Sequence, residues 1–205
     1  MPRRPAFATT TAALCALTAL AACHGSPEAG HPNTTPVSTA ASTPTPTPAV
    51  PSTPDWTAQE QAAIAAAKAR YATARSAIDA ALNNPPAATD QKLLQAGVGG
   101  KWLVQVLGDL QFNEDRDWYQ EGKTRVKALT VASVKLTAEQ PEVRFTVCLD
   151  TSKISLRYRT THKPVPAIPA NGHFHKVQSQ MVYAPPNGQS TKMWFLIDEK
   201  PLGSC

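Results

Sequence analysis

Glu142-Val143-Arg144-Phe145-Thr146-Val147-Cys148-Leu149 decides the fold. Apolar and polar residues alternate through it, so one face of an extended strand carries Val143, Phe145, Val147 and Leu149 while the other stays polar. A period of two belongs to a half-buried strand of an antiparallel sheet. The same extended, β-branched character runs from Gly122 to the C-terminus. It predicts strands over Thr124–Leu136, Glu142–Leu149, Lys153–Arg159, His173–Tyr183 and Thr191–Ile197. Asp150-Thr151-Ser152 reads as a tight turn, with the Asp150 side chain serving as turn-former. Pro185-Pro186-Asn187-Gly188 reads as a second turn. Met193-Trp194-Phe195-Leu196-Ile197 is apolar at every position, which predicts a central strand covered by helices on one side and lining a cavity or interface on the other.

Upstream the period changes. Thr57-Ala58-Gln59-Glu60 is a capping-box pattern. Beyond it Ile64, Ala67, Tyr71, Ala74, Ile78 and Leu82 recur at spacings of three and four, predicting one long amphipathic helix. It should end at Asn83-Asn84-Pro85-Pro86, because the residue before a proline avoids helical geometry. Thr89 caps a shorter helix through Leu93 and Leu94. After Gly97, Gly99 and Gly100, the residues Trp102, Leu103, Val106, Leu107 and Leu110 predict a third. Helices first and strands afterwards give an α+β class. Three N-terminal helices should pack on a curved, mainly antiparallel sheet of about five strands.

The first 54 residues cannot join that core. Arg3 and Arg4 precede a short stretch of small and apolar residues ending in Leu20-Ala21-Ala22-Cys23. A charged start, a short apolar segment and small residues at its end read as a secretory signal. It falls short of the roughly 20 apolar residues that a membrane span requires. Cys23 directly after Leu-Ala-Ala resembles the lipobox of bacterial lipoproteins. That likeness implies cleavage after residue 22, lipid on Cys23 and anchoring to the outer face of the cell membrane. His24–Pro54 follows with eight prolines and one charged residue, Glu28. Such a composition cannot bury enough apolar surface to offset its ordering entropy. Its Thr-Pro repeat favours polyproline geometry, reaching at most roughly 95 Å at about 3.1 Å per residue. The division is a signal over 1–22, a lipidated Cys and disordered linker over 23–54, and a globular domain over 55–205.

The 205 residues carry a formal charge of +5. Removing Arg3 and Arg4 from the 20 basic residues leaves 18 against 15 acidic ones, a net +3. That mild excess, without a Lys/Arg run, excludes nucleic acid as an expected partner. Cys15 lies in the signal and Cys23 takes lipid, so Cys148 and Cys205 remain as an even pair in an oxidising compartment. They are expected to form a disulfide.

Val147-Cys148-Leu149-Asp150-Thr151-Ser152, the Trp194 strand and the terminal Cys205 resemble the nuclear-transport-factor-2-like cone domains of small secreted or lipid-anchored actinobacterial proteins. The likeness spans Asp55–Cys205. It implies a cone-like roll and a Cys148–Cys205 bridge. Enzymes of that superfamily, such as ketosteroid isomerases, epoxide hydrolases and polyketide cyclases, place acids and a Tyr or Arg inside the cone. No such set maps onto this sequence, so no catalytic residue is expected.

Other candidate chemistry is sparse. His173 and His175 share one strand face and are metal candidates with His162 as a third ligand. The same letters suit a polar strand end, and no metal or cofactor is expected. Glu114, Asp115, Asp117 and Glu121 lack the glycine of a calcium loop and read as a solvated segment. Trp102, Phe112, Trp118, Tyr119, Tyr158, Met181, Tyr183 and Trp194 either line an apolar pocket or form ordinary core. The expected function is a non-catalytic envelope lipoprotein, whose domain binds an apolar small molecule or a partner protein or pairs as a homodimer through the open sheet face. The alternatives are an isomerase or hydrolase working in the cone, and an accessory subunit of an envelope transport or secretion complex.

Overall fold

A computed structural model describes residues 55–166, 172–186 and 190–205. The expected signal segment, Cys23, the expected linker, and Asn187 and Gly188 of the predicted Pro185–Gly188 turn lie outside the described residues.

Helix α1, Ala58–Asn83, begins at the predicted capping box: Thr57 Oγ1 accepts the Glu60 amide, and the Glu60 carboxylate accepts the Thr57 amide. Its buried stripe is Ile64, Ala67, Tyr71, Ala74, Ile78 and Ala81. One 3-10 turn at Pro85–Ala87 follows. Helix α2, Asp90–Ala96, is capped by Thr89 and ends where Gly97 turns left-handed at φ 95°. That φ favours glycine, and a Cβ on Gly97 would sit 2.5 Å from the Arg70 side chain, which would have to shift. Helix α3, Gly100–Glu114, buries Val106 and Leu110.

Six strands follow. They are β1 (Trp118–Glu121), β2 (Arg125–Lys135), β3 (Glu142–Asp150), β4 (Ser155–Tyr158), β5 (Phe174–Ala184) and β6 (Met193–Ser204). Four form one antiparallel sheet in the order β2-β3-β5-β6, while β1 and β4 pair as a separate ribbon. The α+β class and three helices are as expected. The single sheet of about five strands is not. The predicted third strand pairs with Trp118–Glu121, inside the segment read as a solvated acidic loop. Its partner was illegible because four residues are too few to show a period.

The core lies between the helices and one face of the large sheet. Val143 on β3 stands opposite Met181 on β5, and Met181 opposite Leu196 on β6. All three are fully buried, as are Phe145, Val147 and Tyr71. The other face is polar: Glu142, Arg144, Thr146, Gln178, Gln180, Lys176 and Lys200 share the opposite parity. Glu142 accepts from both Arg144 and Gln180 across this face.

The last strand corrects a second expectation. Met193–Ile197 lies at the margin of the sheet, not at its centre. Its apolar run is buried because the α2–α3 connection covers the free edge. Gly99 donates to the Leu196 carbonyl at 2.9 Å, and Leu196 donates to the Gly97 carbonyl at 2.7 Å. The strand also runs seven residues past the predicted end, to Ser204.

Cys148 and Cys205 are joined by a disulfide, their Cα atoms 6.0 Å apart. Cys148 is on β3 and Cys205 follows β6, with β5 between them. The bridge therefore passes over the polar sheet face and pins the chain's last residue. Closing a loop with a sequence separation of 57 stabilises the domain by about 4 kcal/mol in the chain-entropy model. Replacing both cysteines with serine should remove about that much. Urea denaturation of the two proteins at one pH measures it, and equal midpoints would contradict it.

Candidate functional site

The buried charged constellation is centred on Glu199, a residue the sequence did not single out. Strict alternation from Leu196 would turn Glu199 outward. The register shows why it is inside: Met181 opposes Leu196 but Gln180 opposes Asp198, leaving Ile197 as an extra bulged residue. One extra residue inverts the phase of everything beyond it. Asp198 thus points outward, where Lys101 pairs with it at 2.8 Å, and Glu199 takes an inward place opposite Ser179.

Around Glu199 every donor comes from a different turn or strand. Tyr71 OH and Ser179 Oγ each donate to Oε1 at 2.8 Å. Arg75 donates to Oε2 at 2.7 Å. Tyr71 and Arg75 are four residues apart and so share one face of α1. Tyr71 also meets Phe145 edge-to-face, with ring centroids 6.1 Å apart. Burial first, and then the Glu199 charge, push the Tyr71 phenol far above its ordinary range, keeping it a neutral donor. The three donors leave the carboxylate saturated. Chemically the cluster is a clamp between helix and sheet, not an open acid or base.

A second clamp lies farther along α1. Buried Asp79 accepts Gln120 from β1, and both the amide and hydroxyl of Thr124. Between those residues Gly122 has φ 99°, and a Cβ there would lie 1.9 Å from the Lys153 carbonyl oxygen. Asp79 therefore orients the β1–β2 turn, while Gly122 lets the β4 approach pass it.

The sequence candidates disperse. His175 Nε2 lies 3.2 Å from Thr151 Oγ1, whereas His162 Nδ1 lies 3.2 Å from Tyr119 OH on the small ribbon. His173 uses its backbone carbonyl to hold Thr151. Among the described residues no group of three His, Cys, Asp or Glu side chains gathers as a metal set. Asp150 accepts the Ser152 amide at 2.9 Å, the turn-forming role expected of it. Of the acidic segment, Glu114 ends α3, while Asp117 and Glu121 pair with Arg159 and Arg157.

The aromatic set divides into core and exterior. Met181 and Trp194 are core, and Trp102 and Tyr183 pack against it half-buried. Phe112, Trp118 and Tyr158 form an edge-to-face chain outside, with the Arg116 guanidinium 3.5 Å above the Phe112 ring. Two surface grooves flank α1. One of about 250 Å³ is lined by Ala77, Ala80, Ala81, Asn84 and Leu93 among others. The other, about 400 Å³, includes Arg70, Tyr183, Lys192 and Trp194. Neither is lined by Glu199 or Tyr71.

No family model matches this chain, and no curated protein matches it. The crystal structure of the intermembrane space region of chloroplast protein ARC6 superposes with a TM-score of 0.46 at 12% identity, covering 74% of this chain and 100% of that one. Among the described residues no helix is long and apolar enough to cross a membrane.

Two predictions follow from the Glu199 clamp. Arg75→Met leaves a carboxylate buried without its cation and should cost about 3–5 kcal/mol by urea denaturation. Arg75→Met combined with Glu199→Leu should cost less than the sum of the single changes, and strict additivity would refute the coupling. Tyr71 contributes a pH dependence on the alkaline side. Unfolded tyrosine loses its proton near pH 10, and the folded phenol holds it to higher pH. The folded state then binds more protons, so stability falls as pH rises beyond about 10. Tyr71→Phe should flatten that slope between about pH 9 and 11, and an unchanged slope would assign it to other groups.

Proposed function

We propose that this chain is a lipid-anchored cell-envelope protein whose domain recognises a partner protein at its surface and catalyses nothing. The observation that supports the reading is the filled interior. Tyr71, Phe145, Met181 and Leu196 are each buried to within about a hundredth of their surface, and the carboxylate among them is saturated. An isomerase or hydrolase needs a buried ionisable group facing a cavity that admits substrate. An apolar ligand inside a cone needs empty space. The close packing between α1 and the sheet supports recognition at the surface instead. The sheet face opposite the helices carries a Glu142–Arg144–Gln180 hydrogen-bond network, which favours a polar contact there over an apolar one.

The cone-domain kinship with secreted actinobacterial proteins belongs to the same proposal. Helices preceding an antiparallel sheet and a Cys148–Cys205 bridge support it. The disulfide also suits an oxidising compartment, as an exported protein requires. In this reading Cys23 is acylated, 24–54 acts as a spacer, and the domain stands off the outer face of the cell membrane. Two or more acyl chains are needed for stable anchoring, since each buried CH₂ contributes about 0.8 kcal/mol.

Cys23→Ala should move the protein from the membrane fraction to the soluble exported fraction. Immunoblots of fractionated cells measure this. Retention in the membrane fraction would overturn the anchor, and the outer-face location with it.

A further inference from the structure

The two margins of the large sheet are treated differently. β6 is covered at Leu196, which donates to the Gly97 carbonyl and accepts the Gly99 amide. β2, at the other margin, pairs with β3 on one side and with no strand among the described residues on its other side. Its eleven residues are exposed or half-buried throughout, and Val126 is 42% exposed. An unpaired strand edge is a template for another extended chain.

Two features of β2 say which chain. The first is charge. Arg125, Lys127 and Lys135 lie on it, Lys123 just precedes it, and it contains no Asp or Glu. Arg125 approaches Asp150 only at 3.8 Å, and among the described residues Lys127 and Lys135 form no ion pair. The second is parity. Val126, Leu129, Val131 and Val134 face the same side as their β3 partners Leu149, Val147, Phe145 and Val143. A strand added outside β2 would continue those apolar rows with its own alternate side chains.

A second copy of this chain is a poor occupant. Two β2 strands paired antiparallel about Thr130 would set Arg125 opposite Lys135 at both ends, a destabilising like-charge arrangement. The bulges at Lys127 and Ala132 also interrupt the edge. Only the short run from Ala128 to Val131 is left regular between them, which discourages indefinite sheet growth. We propose that β2 accepts one short, extended, acidic segment of a partner protein, alternating Asp or Glu with aliphatic residues, as a fifth strand of the sheet.

This inference rests on the domain being a protein-binding module and is independent of the lipid anchor, so failure here leaves the Cys23→Ala result standing. The test uses the full mature chain and a fluorescent decapeptide of alternating Glu and Val, with a Lys–Val decapeptide as control. The Glu–Val peptide should bind, and hydrogen exchange should slow across Arg125–Lys135. The Lys–Val peptide should not bind. Lys127→Glu with Lys135→Glu should weaken binding by about tenfold or more. Ala132→Pro, at a bulge position that tolerates proline, should block strand addition. Should that variant fail to fold, the surface charge variant still decides. Equal binding of both peptides, no binding of either, protection away from β2, or a concentration-dependent dimer abolished by the charge variant would each overturn the proposal.

Discussion

One buried carboxylate holds the two layers together. Glu199 reaches the domain interior from the last strand, and its partners Tyr71 and Arg75 come from the first helix, separated from it by 128 and 124 residues. An isolated carboxylate there would carry a penalty of several kcal/mol, so its position is acceptable only with all donors in place. That makes it a register device. Sliding α1 by one turn, or β6 by one residue, would orphan either the carboxylate or the guanidinium. The apolar contacts around it are more forgiving, because Ala67 or Leu196 would find some other apolar neighbour after a slip. The hydrophobic face supplies most of the driving force, and the Glu199 clamp selects one arrangement from those that burial alone would permit.

What was legible in the sequence is what local chemistry controls. The Thr57–Glu60 box, the α1 stripe, the break at Pro85, the Thr89 cap and the alternation of β3 all depend on neighbours within a turn or a strand. The losses share a cause. Ile197 is an unremarkable apolar residue, and nothing local marks it as a bulge, yet it decides that Glu199 and not Asp198 enters the core. The apolar run ending there suggested a central strand because cover by Gly97–Gly99 cannot be read from β6 itself. Trp118–Glu121 and Ser155–Tyr158 are each too short to show a period, and their pairing depends on the Asp79 clamp and on Asp117. The Asp117 carboxylate gathers Arg159 and Thr160, and its pKa is held low by those hydrogen bonds, Thr160 foremost. The disulfide, by contrast, was legible by counting once Cys15 and Cys23 were set aside.

The distribution of polar groups divides the surface into regions with different capacities. The sheet face opposite the helices is self-satisfied by Glu142, Arg144 and Gln180, so a partner docking there must first break good hydrogen bonds. The β6 edge is covered by backbone at Leu196. The β2 edge has backbone groups without a strand partner among the described residues, and its own charged side chains are all cations. Recognition through an edge draws on main-chain hydrogen bonds for affinity and on charge for choice of partner.

Because Leu196 and Glu199 lie on β6, the last in sequence of the described strands, the core has no closed form until that strand is in place. A chain ending before Met193 would present three strands whose inner face lacks its margin, with Arg75 and Tyr71 facing no carboxylate. Any such fragment stays open to proteases. Addition of β6 is thus the event that commits the domain to a folded shape, and the disulfide from Cys148 to Cys205, just beyond that strand, locks the shape covalently.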